Sequence, residues 1–147
     1  MIIQIVDINL NRRKLIRHAG TQLIHGYWIR FTHSDFEGTA NFVPYNKKPE
    51  EIILNTDYSV ETSQEKTLTY IKTENRTPNI EYKSTDERIN LTGEISFISD
   101  DKEIAVLNIW DVDFTFNSDE INIKELKLND YIEIEIKDLI LWDEGIF

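Results

Sequence analysis

The chain has 147 residues, of which 29% are charged and 40% hydrophobic, with 16 Lys+Arg against 27 Asp+Glu and a formal net charge of −11. This length fits a single domain, 1–147, with a sizeable core, and the lack of cysteine excludes disulfides and thiolate chemistry. A field this negative repels nucleic acid and anionic membrane and attracts basic partners.

Residues 2–10, IIQIVDINL, read as a first strand. Their apolar residues precede the basic ones and are interrupted by Gln4, Asp7 and Asn9, so no signal peptide is expected and the expected location is cytoplasmic. Arg12, Arg13, Lys14 and Arg17 form the one basic cluster, read as a solvated loop or a single helical turn. TQLIHGYWIRFT, 21–32, reads as a long strand with Leu23, His25, Tyr27, Ile29 and Phe31 on one face. On that face His25 is expected to be a hydrogen-bonded core histidine. TANFVPY returns as the hairpin partner, and Pro44 and Pro49 bracket a polar loop. EIILN is expected to be a short strand, with a helical turn opened by Pro49, Glu50 and Glu51 as the alternative. YSVET and TLTYIK read as two strands separated by Ser63–Lys66.

Residues 73–88 are polar and weakly periodic, which predicts a long loop and a possible lobe boundary. Ile89, Leu91, Ile95 and Phe97 then alternate with polar residues, and Gly93 marks a bulge or a close approach. EIAVLNIWDVDFTF reads as the returning strand, with Trp110, Val112, Phe114 and Phe116 on one face and Asp111 and Asp113 on the other. Asn117–Glu120 turns the chain, and INIKELKL is short and alternating.

DYIEIEIKDLILWD, 130–143, organises the whole pattern. Ile132, Ile134 and Ile136 alternate with Tyr131, Glu133, Glu135 and Lys137, after which Leu139 and Leu141 make the second face apolar. The reading is a central strand that begins with one wet face and ends buried on both, with a bulge near Asp138. LKLND followed by such a strand resembles the last turn and strand of small Greek-key barrels, the OB-fold among them. The expected fold class is all-β, an antiparallel sandwich or partly open barrel with little helix.

No nucleotide-binding loop, nucleophile elbow or zinc-protease motif occurs. His18, His25 and His33 do not have the spacing of a metal motif, and Asp100, Asp101 and Glu103 lack an EF-hand frame. No cofactor, metal or catalytic residue is therefore expected. The charge is uneven: residues 1–73 carry 9 Lys+Arg and 8 Asp+Glu, net +1, while 74–147 carry 7 and 19, net −12. This polarity points to a small acidic binding protein that neutralises a basic protein partner. Its most concrete form is a bacterial immunity protein or antitoxin blocking a toxin such as a nuclease. The expected partner face is Asp111, Asp113, Glu133 and Glu135, with Asp119 and Glu120 at its rim and Tyr131 as an aromatic anchor. The alternatives are a small-ligand or carbohydrate-binding β module lined by Tyr27, Trp28 or Trp142, and a hydrolase using a carboxylate pair.

Overall fold

Alternation of β-branched and aromatic residues with polar ones produces nine strands in the computed structural model, which describes residues 1–18, 20, 22–83 and 87–145. They are β1 (Ile2–His18), β2 (Gln22–Thr32), β3 (Glu37–Val43), β4 (Asp57–Lys72), β5 (Asn79–Tyr82), β6 (Arg88–Ile98), β7 (Ile104–Ile109), β8 (Val112–Asn117) and β9 (Tyr131–Asp143). Two single 3-10 turns, Pro49–Glu51 and Ile123–Glu125, are the helical content of the described residues. The fold is all-β, a closed five-stranded barrel with additional peripheral strands. The chain divides into two compact units, one of Met1–Thr62 with Leu139–Phe147 and one of Ser63–Asp138.

The first unit is the barrel. β1 runs antiparallel to β2 and to the start of β4, and β2 antiparallel to β3. Closure comes from a parallel pairing of β3 with the end of β9, Asn41↔Ile140, Phe42↔Leu141 and Val43↔Trp142. Closing the sheet leaves few open edges and lets alternate residues fill one interior. Ile3, Ile5, Ile29, Phe31, Phe42, Val60 and Leu141 do so, each at most 1% exposed.

The segment Arg12–Arg17 is neither loop nor helical turn. It is the far half of β1, paired with β2 from Arg13↔Tyr27 to His18↔Gln22 after an irregularity between Asn9 and Arg13. Ile16 explains why the hairpin stays ordered, since it packs with Val43 and Ile140, flanked by Ile24 and Trp142, in a second small core. Gly26 permits this close packing, because a Cβ there would stand 2.4 Å from Ile16 Cδ1. The burial expected along β2 is only half realised. Tyr27, Ile29 and Phe31 are buried, but Leu23 and His25 project from the hairpin and are exposed, so His25 is not a core residue.

The second unit is an antiparallel sheet in the order β4-β9-β6-β7-β8, with β5 on β6. Ile132, Ile134 and Ile136 of β9 share its inner face with Leu91, Ile95, Leu107, Phe114 and Phe116, and Ile121, Ile123 and Leu126 complete the core. Gly93 is a point of close approach: a Cβ there would lie 2.4 Å from the Asn108 carbonyl oxygen.

Several elements depart from the reading of the sequence. YSVET and TLTYIK are one continuous strand, β4, because polar residues at 63–66 do not break a ladder whose hydrogen bonds are backbone. EIILN is not a strand; Pro49 opens the 3-10 turn instead. The stretch 73–88 contains β5, and residues 84–86 lie outside the described residues. EIAVLNIWDVDFTF is a tight hairpin, with Ile109↔Val112 the last pair and Trp110 at φ 55° in the turn. INIKELKL contributes a 3-10 turn rather than a strand. β9 meets the expectation for a central strand, with β3, β4 and β6 all pairing to it. Asp138, at φ 58°, marks the expected irregularity, and residues 138–141 are buried.

Candidate ligand cleft and the expected acidic face

The barrel unit carries an open cleft of about 490 Å³. Gln4 of β1 and Asp57 of β4 are direct cross-strand partners, and Gln4 Nε2 donates to Asp57 Oδ1 at 3.0 Å along one wall. Tyr58, next along β4, is 4% exposed and packs edge-on to Phe42 at 5.4 Å. Its hydroxyl accepts the Ile53 backbone N–H at 2.9 Å, which ties the loop after β3 to the barrel. Thr56 Oγ1 donates to the Ile53 carbonyl at 3.1 Å, and the Asn55 N–H donates to the Ile5 carbonyl at 2.9 Å. The Lys48 N–H donates to Glu51 Oε1 at 3.0 Å and sets that carboxylate at the rim.

Lys47 also lines the cleft. Its Nζ lies 4.9 Å from the Tyr58 ring centroid and 3.3 Å from Asp143 Oδ2. Asp143 is buried and also accepts the Tyr45 N–H at 3.2 Å and the Gly145 N–H at 2.9 Å. The cation of Lys47 is thus matched by an acid beneath it. The charges left at the mouth are the carboxylates of Glu51 and Asp57.

None of the aromatics expected to line a pocket contributes to this cleft. Tyr27 is buried in the barrel, the Arg12 guanidinium covers Trp28 at 3.7 Å, and His18 stacks on Trp142 at 5.3 Å. The residues that do line it were missed because Gln4 and Asp57 are 53 positions apart in sequence. The bracketing prolines of the polar loop were the only local signal.

The seven residues of the expected acidic face are only partly brought together. Asp113, Tyr131, Glu133 and Glu135 lie on the outer face of the second unit's sheet, where Tyr131, Glu94, Asn108 and Asp113 form one cross-strand row. Asn108 Nδ2 donates to Asp113 at 2.9 Å. Asp111 is in the β7–β8 turn, not on a strand face beside Asp113, and Asp119 is in the following turn. Glu135 meets Lys83 and Arg88, each at 3.3 Å, and the Arg76 guanidinium sits 5.1 Å from the Tyr131 ring. Glu120 is drawn inward, accepting Gln64 Nε2 at 2.6 Å and Thr67 Oγ1 at 3.2 Å. Burial raises its pKa, and hydrogen bonds from Gln64 and Thr67 oppose the rise.

The acidic turn 100–103 is held by its own side chains. Asp101 Oδ1 accepts the Ser99 hydroxyl at 2.7 Å and the Glu103 N–H at 3.0 Å, and these bonds hold its carboxyl below the ordinary value. Glu103 accepts the Ser118 hydroxyl.

No family model, curated protein or solved structure matches the chain. Among the described residues no helix is long and apolar enough to cross a membrane.

Proposed function

We propose that the protein is a small-ligand-binding β module whose ligand is neutral and polyhydroxylated, a saccharide or a polyol, and sits in the barrel cleft. The cleft carries the reading: about 490 Å³ falls within the range of small-molecule sites. Its chemistry selects the ligand class. With Lys47 matched by Asp143, the mouth is negative, which disfavours anions such as nucleotides. Gln4, Asp57, Glu51 and Thr56 offer planar and hydroxyl groups that accept and donate around a ring of hydroxyls. Ile53, an exposed residue of the lining, supplies apolar surface for its C–H faces. No catalytic step is proposed. Isothermal titration with a panel of neutral mono- and oligosaccharides tests the reading. Binding by the wild type that is lost in Asp57→Ala supports it, and a panel with no binder removes it.

A second reading keeps a basic protein as partner, an immunity role against a cationic toxin being its most concrete form. It is favoured by charge: residues 63–138 hold 9 Lys+Arg and 18 Asp+Glu, net −9, whereas the other unit has net −2. Such capture weakens steeply with salt, while the cleft's hydrogen bonding to a neutral ligand does not.

A further inference from the structure

The far half of the β1–β2 hairpin has one seated face and one open face. Ile16 and Ile24 are packed on the first. Arg13, Leu15, Arg17, Leu23 and His25 occupy the second, and all are exposed, Leu15 by 55% and Leu23 by 54%. The register Leu15↔His25 and Arg17↔Leu23 puts the two leucines diagonally next to each other, with Arg13 and Arg17 on either side of Leu15. Residues 8–34 contain five Lys+Arg and no acid. Beyond Gln4, no strand pairs with the second edge of β1 among the described residues.

The second unit presents the complement. On the outer face of its sheet Phe97 is 52% and Ile104 42% exposed. Phe97 pairs with Val106, and the row beside it is Glu94, Asn108 and Asp113. Apolar side chains bordered by carboxylates thus match apolar side chains bordered by guanidinium groups.

We propose that these two faces bind each other between two copies of the chain, the hairpin of one seated on the outer sheet of the other. This rests on the second reading above and names its basic partner as the chain's own hairpin. Pairing hairpin to hairpin would set the arginines against one another, which charge repulsion opposes. Hairpin against acidic sheet satisfies both charge and apolar area, and the proposed dimer is the reciprocal form of this contact, made twice.

Sedimentation analysis tests this with two charge-reversed variants, Arg13→Glu/Arg17→Glu and Glu94→Lys/Asp113→Lys. The wild type is expected to be dimeric at about 0.05 M salt and to dissociate as salt approaches about 1 M. Each variant alone is expected to be monomeric, because hairpin and sheet then carry the same sign. Their equimolar mixture is expected to dimerise, because both contacts regain opposite charges, and that recovery also shows both variants folded. A monomeric wild type at low salt overturns the proposal, as does a mixture that stays monomeric while both variants keep the wild-type circular dichroism. Poly-lysine added to the wild type separates the two levels. A monomer that binds poly-lysine overturns self-association alone, and a monomer that does not bind it overturns the acidic-face reading as well.

Discussion

Lys47 Nζ stands 3.3 Å from the carboxylate of Asp143, whose side chain is only 1% exposed. The pair links the cleft wall to the last residue of β9, the strand that closes the barrel. Removing Lys47 leaves a buried carboxylate with two backbone N–H donors and no countercharge. Lys47→Met is expected to lower stability by about 1–3 kcal/mol. The pair Lys72–Asp130, at 3.5 Å with side chains 53% and 27% exposed, is solvated. Lys72→Met is expected to cost less than about 1 kcal/mol. Urea denaturation of both variants checks the order, and equal losses would contradict it.

Glu120 gives a pH-dependent prediction. Burial, with a small contribution from Asp119, raises its pKa above the ordinary 4.5 despite the bonds from Gln64 and Thr67. The folded chain therefore holds this proton more tightly than the unfolded chain. The stability it contributes is present at low pH and is lost as pH rises through the folded pKa. Glu120→Gln keeps an oxygen to accept both hydrogen bonds and removes the charge. It is expected to raise Tm at pH 7, with the gain shrinking as pH falls toward 4.5. A thermal series across that range reads this, and a pH-independent difference would refute it.

Two tightly packed strand glycines, Gly26 of β2 and Gly93 of β6, are expected to differ. At Gly93 a Cβ would meet backbone, the Asn108 carbonyl oxygen at 2.4 Å. At Gly26 it would meet Ile16 Cδ1, the end of a flexible side chain, at the same distance. Gly93→Ala is expected to cost at least about 2 kcal/mol, and Gly26→Ala less, because Ile16 can change rotamer. Chemical denaturation of the pair decides this, and a Gly26→Ala protein less stable than Gly93→Ala would reverse the argument.

Strands were legible in the sequence wherever buried and less buried residues alternate over several positions. The first parts of β6 and β9 are such stretches, since Ile89 and Leu91, and Ile132 and Ile134, alternate with polar residues there, before the register shift at 95–97 of β6 and the irregularity at Asp138 of β9. The pattern failed where a tight turn kept the phase. Trp110 and Asp111 continue the alternation into Val112, so a hairpin and a strand look the same until Trp110 adopts a positive φ. It failed again where polar or basic residues outnumber apolar ones in a paired strand, as at 63–66 within β4 and at 12–17 within β1, where Ile16 alone is buried. Of the acidic face, Asp113, Glu133 and Glu135 were placed by alternation, a property of one strand at a time. The cleft was not legible, because the contact of Gln4 with Asp57 and of Lys47 with Asp143 depends on closure of the barrel.

A neutral polyhydroxylated ligand is proposed for the cleft between β1, the start of β4 and the loop 44–56. Amide chemical shifts followed during titration with neutral oligosaccharides report whether the ligand is held there. Saturable shifts are expected at the backbone N–H groups of the lining residues Gln4, Lys47, Glu51, Ile53, Thr56, Asp57 and Tyr58 alone, and are expected to be abolished in Asp57→Ala. Saturable shifts on the outer sheet of β6–β8 instead, with the cleft silent, would contradict the proposal.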